Sequence, residues 1–147
     1  MEVRNFPNDA QRRELIDRLH AEGCSCVIGN GAQVRIFHQK GVKDLYRLLN
    51  EEPELLEGAF VADKVVGKGA AALMILGGVR EVYADVASTP ALSLFAARGI
   101  RVECALEVPQ IINRAGTGRC PVETLCSDCR TPEECLEPIR NFILHNS

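Results

Sequence analysis

No apolar run in the chain is long enough to cross a bilayer. The longest, Gly69–Val79, falls well short of the roughly 20 residues that a spanning helix needs. The start, Met1-Glu2-Val3-Arg4-Asn5, is charged from its second residue and leads to no apolar core, so no secretory leader is expected and the protein is read as cytoplasmic. An excess of positive charge is also missing. Seventeen Lys and Arg stand against twenty Asp and Glu, a net charge of -3, which argues against general nucleic-acid binding. Tryptophan is absent and methionine occurs only twice. Internal repeats and low-complexity stretches are missing too. With 147 residues, 46% of them hydrophobic and 25% charged, the chain reads as a single globular domain over 1–147.

What is present in excess is cysteine, seven residues in all. A reducing cytosol disfavours structural disulfides, and an odd count forbids complete pairing, so free thiols, metal binding and catalysis are the readings to weigh. Four of the seven, Cys120, Cys126, Cys129 and Cys135, form C-x5-C-x2-C-x5-C in the tail. Four thiolates brought to a point suit tetrahedral zinc or an iron–sulfur cluster. The spacing matches neither a two-knuckle zinc ribbon nor a ferredoxin run, and the alternative is that these are reduced, packed thiols. Cys24, Cys26 and Cys104 fall in expected strands and are read as core residues, with Cys24 and Cys26 on one face.

The periodicities order the chain. Asn8–Glu22 is an amphipathic helix capped by Asn8 with Gln11 three residues on. Cys24–Ile28 and Gln33–Phe37 form an antiparallel hairpin through Gly29-Asn30-Gly31-Ala32. Lys43–Asn50 is a helix closed by Pro53. An alternation follows: strand Gly58–Ala62, apolar helix Val65–Leu76, strand Glu81–Val86, helix Pro90–Ala97 behind Ser88 or Thr89, and strand Ile100–Cys104. Such alternation implies right-handed crossovers and parallel pairing covered on both faces. Residues 113–147 read as a cysteine-containing helical tail, with a short helix Pro121–Cys126 and a last helix Pro132–Leu144 begun by the capping box Thr131-Pro132-Glu133-Glu134. The expected architecture is a three-layer α-β-α domain on a mixed sheet of about five strands.

Two stretches carry candidate chemistry. Asp63, Lys64 and Lys68 stand where a strand passes into the buried helix, and a helix start bearing lysines suits an anion. The bland alternative makes Asp63 an ordinary N-cap, the lysines solvated, and Gly67 and Gly69 spacers for close helix–sheet packing. Asn113, Arg114, Thr117 and Arg119, interleaved with Gly116 and Gly118, then lead to Cys120 before Pro121. Arginine forks suit phosphate, glycines admit close approach, and a cysteine at a helix start has a raised thiolate fraction. The bland alternative is a surface turn.

Three segments together, Ala62-Asp63-Lys64-Val65-Val66-Gly67-Lys68, Val82-Tyr83-Ala84 and Ile111-Ile112-Asn113-Arg114-Ala115-Gly116-Thr117-Gly118-Arg119-Cys120-Pro121, resemble an uncharacterised bacterial family, the domain of unknown function numbered 1893. That resemblance implies a cytidine-deaminase-like fold and no established activity. Zinc deaminases carry His or Cys followed by Glu at one helix start and Pro-Cys-x-x-Cys at the next. Here those starts read Lys40-Gly41-Val42-Lys43-Asp44 and Asp63-Lys64-Val65-Val66-Gly67-Lys68, so deaminase zinc is not expected. Three functions remain open. One is a pocket for a nucleotide or other small phosphorylated metabolite, lined by Asp63, Lys64, Lys68, Asn113, Arg114, Thr117 and Arg119. Another is an enzyme with Cys120 as nucleophile and Asp63 as acid–base partner. The third is a zinc or iron–sulfur protein ligated by Cys120, Cys126, Cys129 and Cys135. No membrane partner is expected, and by analogy with deaminase-like folds a homodimer is.

Overall fold

A computed structural model describes residues 6–39, 42–111 and 121–145. Asn8 caps helix α1 (Asp9–Ala21) by the reciprocal pair read in the sequence: its Oδ1 accepts from Gln11 N at 2.8 Å, and Gln11 Oε1 accepts from Asn8 N at 2.9 Å. Strands β1 (Cys26–Asn30) and β2 (Gln33–Phe37) pair as the expected hairpin, turning at Gly31, whose φ of 62° suits a residue without a Cβ. Helix α2 (Lys43–Glu51) and the short α3 (Pro53–Leu56) lead to β3 (Phe60–Val66). Helix α4 (Lys68–Leu76), β4 (Glu81–Ser88), α5 (Thr89–Ala97) and β5 (Arg101–Val108) complete the alternation. The tail holds α6 (Pro121–Leu125) and α7 (Pro132–His145).

The five strands form one mixed sheet in the order β2-β1-β3-β4-β5. β1 is antiparallel to both β2 and β3, whereas β3, β4 and β5 run parallel. Alternating side chains supply the two faces. Cys26, Ile28, Val61, Val82 and Ala84 pack with α2, α3, α4, α5 and α7, while Val27, Phe60 and Ala62 pack under Leu15 and Leu19 of α1. α4 is buried from Lys68 through Ile75, as its all-round apolar sequence demands. Arg12 grips the buried carboxylate of Glu81 with Nε at 2.6 Å and its Nη2 at 3.1 Å, tying α1 to the head of β4. No helix among the described residues is long and apolar enough to cross a membrane.

Several expectations change, β1 among them, which runs over Cys26–Asn30 and not Cys24–Ile28, and β5, which runs on to Val108. The strand at Gly58–Ala62 runs instead over Phe60–Val66, and the following helix starts at Lys68 behind Gly67 rather than at Val65. Asp63 is therefore not an N-cap. Its backbone continues the ladder, in register with Cys26 on one side and Ala84 on the other. Cys24 and Cys26 do not share a face either. Cys24 precedes the first pleated residue of β1 and sits in the α1 cluster, while Cys26 enters the opposite cluster.

Candidate functional site

The start of α4 is the focus of the molecule. A helix begins with N–H groups that lack partners, and Gly67 supplies no side-chain cap. The partner comes from far along the chain. Glu123 on α6, 4% exposed, accepts from Lys68 N with Oε1 at 2.7 Å and from Ile111 N with Oε2 at 2.9 Å. The anion that a helix start attracts is thus a carboxylate of the protein itself. Gly67 and Gly69 explain how it gets there. A Cβ at Gly67 would come 3.1 Å from Glu123 Oε1, and one at Gly69 would collide with Cγ1 of Val122. The glycines admit α6 to this end of the helix, where close helix–sheet packing was the bland expectation.

The Lys68 side chain, 8% exposed, runs to the segment after α6. Its Nζ donates to Ser127 O at 3.2 Å and Cys129 O at 2.5 Å. That segment carries thiols. The Sγ atoms of Cys126, Cys129 and Cys135 all lie within 4.8 Å of one another. Cys126 N donates to Val122 O and Cys129 N to Cys126 O, each at 3.0 Å, so a tight turn off the end of α6 brings the first two together. Thr131 Oγ1 then accepts from Glu134 N at 3.2 Å and starts α7, placing Cys135 in its first turn. Cys126 and Cys135 are fully buried; Cys129 is partly exposed and its thiol donates to Glu134 O at 3.4 Å. A hydrogen bond with Cys126, together with burial, pushes the Cys135 thiol strongly up, and burial with the neighbouring Cys135 raises Cys129, while the Lys68 charge opposes both. Three crowded thiols resist joint ionisation unless a cation joins them.

A cavity of about 230 Å³ adjoins this cluster, lined by Lys68, Pro90, Pro109, Gln110, Glu123 and Ser127. Pro90 follows β4 and Pro109 and Gln110 follow β5, so the cavity lies at the carboxyl ends of parallel strands, the place where open α/β sheets take ligands.

Asp63 and Lys64 part from Lys68. Asp63 and Lys64 belong to β3, and neither lines the cavity. Asp63 interacts with the Cys26 thiol and accepts from Val65 N at 3.3 Å; burial pushes its carboxyl up to about 7, against the pull of the Val65 and Lys64 amides. Burial, then the Asp63 charge, drives the Cys26 thiol well up. Asn113, Arg114, Thr117, Arg119 and Cys120 lie outside the described residues. Among the described residues His20 bonds Asp85 at 2.7 Å and His145 bonds Asn141 O at 2.8 Å, and no histidine joins the thiols. Glu123 escaped the sequence reading. Its signal was an acidic residue inside the short apolar Pro-Val-Glu-Thr-Leu helix, together with two glycines flanking Lys68.

Residues 14–143 match a family model described as TM1506: Domain of unknown function (DUF1893). A solved crystal structure of a DUF1893 family protein (TM1506) from Thermotoga maritima is similar at a TM-score of 0.81 and 26% identity, over 88% of this chain and 87% of that one. No curated protein matches the chain.

Proposed function

The chain belongs to the DUF1893 family, a domain of unknown function, and from its own geometry we propose that it is a metal-binding protein holding a thiophilic divalent ion of the zinc class on Cys126, Cys129 and Cys135. The observation that carries this reading is the convergence of three Sγ atoms within 4.8 Å. Tetrahedral zinc with bonds near 2.3 Å sets its sulfurs about 3.8 Å apart, so the three thiols need only a small contraction. Bound there, the ion would supply Lewis acidity and a cross-link. The chain's own residues do the rest: the turn at Cys126–Cys129 and the first turn of α7 present the thiols, and Lys68 holds the turn by two carbonyls. Cys120, one residue before α6, is the candidate for a fourth thiolate.

Anaerobic purification followed by elemental analysis tests this. About one zinc-class ion per chain is expected, with Cys126→Ser and Cys135→Ser each losing it and chelation lowering the melting temperature. A metal-free chain whose melting temperature ignores both zinc and chelator overturns the reading.

A second reading is supported by the cavity at the carboxyl ends of β4 and β5. It is a pocket for a nucleotide or similar phosphorylated metabolite. With Glu123 already on the start of α4, phosphate would depend on Asn113, Arg114, Thr117 and Arg119, in the segment joining Ile111 to Pro121. A native-state ligand raises stability by mass action, so nucleotides or ADP-ribose at millimolar concentration are expected to raise the melting temperature of the native chain and not of an Arg114→Ala, Arg119→Ala variant. No shift with any of them, and flat calorimetry, rejects this pocket.

A further inference from the structure

Lys68 is the one buried cation among the described residues. Burying an ammonium is costly unless an opposite charge balances it. Two backbone carbonyls satisfy two of its three donors but carry no net charge, and among the described residues no carboxylate lies within 4.0 Å of Nζ. Glu123, on the same cavity wall, turns one oxygen to Lys68 N and the other to Ile111 N and forms no ion pair with Nζ. The other ionisable groups at hand are the three thiols, since Nζ touches the carbonyl of Cys129 itself.

We infer that Lys68 is the counter-ion of the thiolate site, and that the site is built for metal complexes of net negative charge. The inference rests on the metal reading above and adds what the site selects. Its chemistry is a charge count. A divalent ion M²⁺ and three Cys–SH give [M(S–Cys)₃]⁻ and three protons, which leave to solvent; a fourth thiolate makes the complex more negative still. The Lys68 ammonium neutralises one unit of that charge inside the fold. Arsenous acid uses the same three sulfurs differently: As(OH)₃ and three Cys–SH give As(S–Cys)₃ and three waters. That complex is neutral and asks nothing of a counter-ion. Lys68 is accordingly a positioning and charge-balancing residue that touches no metal, and it divides these two probes.

The test is a pair of titrations on the full reduced chain under anaerobic conditions, with Cd(II) followed by its sulfur-to-cadmium charge-transfer absorption and arsenous acid followed by its sulfur-to-arsenic band. In Lys68→Met, Cd(II) affinity is expected to fall by about tenfold or more, while arsenous acid affinity stays within about threefold of the native value. Lys68→Arg, which restores the charge, is expected to recover Cd(II) binding to within about threefold. Should Lys68→Met fail to fold by circular dichroism, Lys68→Gln carries the same comparison, because it keeps a donor for the Cys129 carbonyl and removes only the charge. Equal weakening of both probes would mean that Lys68 merely shapes the turn, and unchanged Cd(II) binding would mean that its charge is irrelevant; either overturns the inference while leaving the metal reading intact. A native chain that binds neither probe through these thiols defeats the metal reading first.

Discussion

Glu123→Ala is expected to destabilise the chain by about 3 kcal/mol, because it orphans a buried backbone donor and a part-buried one at once. Lys68 N and Ile111 N each spend their hydrogen on this carboxylate, at 2.7 and 2.9 Å, and the side chain is 4% exposed. The lost acceptor also stands at the positive end of α4, which adds to the cost. Glu123→Gln should cost less, since one amide oxygen still serves Lys68 N while the amide NH₂ opposes Ile111 N. Chemical denaturation of the three proteins measures both costs. Inorganic phosphate or sulfate adds a sharper readout: in Glu123→Ala the vacated start of α4 regains its affinity for an outside anion, so these salts are expected to stabilise that variant more than the native chain. An alanine variant as stable as native protein would show that α4 has no need of this carboxylate.

Asp63 governs the expected pH response. Burial lifts its carboxyl in the folded chain up to about 7, against an ordinary value of 3.8. The sign follows from linkage. Below about pH 4 the side chain is protonated folded or unfolded, and contributes no penalty. As pH rises towards 7 the unfolded chain releases the proton that the folded chain retains, so stability drains away through that window and the loss is complete above it. At about 1.4 kcal/mol per pK unit the full loss is of order 4 kcal/mol. Asp63→Asn removes the ionisation and keeps an oxygen for Val65 N. The gap in unfolding free energy between variant and native chain is expected to move in the variant's favour by about 2–3 kcal/mol from pH 5 to pH 8. Parallel profiles across that range would refute the burial of charge at this position.

Much of the scaffold was legible locally. The Asn8–Gln11 capping box, the hairpin turn at Gly31, the wholly apolar α4 and the Thr131 start of α7 all appear where side-chain chemistry within four or five residues demands them. The strand–helix alternation likewise implied the parallel pairing of β3, β4 and β5. Failures occurred where a charged residue was read by its neighbours in sequence. Asp63 and Lys64 look like a helix start because charge is unwelcome in a strand core, yet Asp63 lies between Cys26 and Ala84, and the ladder carries β3 on to Val66.

The cysteine spacing by itself allowed metal, free thiols or a reactive nucleophile. Tertiary structure decided that Cys126, Cys129 and Cys135 converge, because the turn after α6 and the first turn of α7 fold back onto the same helix end. The anion at that end was decided in the same way. Composition determined that α4 would be buried, and local motifs determined where most elements begin and end, since both depend on period and on contacts a few residues apart. Which group satisfies the buried start of α4, and which carbonyls hold the Lys68 side chain, depends on residues 55 to 61 positions away. Only the packing of α6 against Gly67 and Gly69 brings those partners within reach.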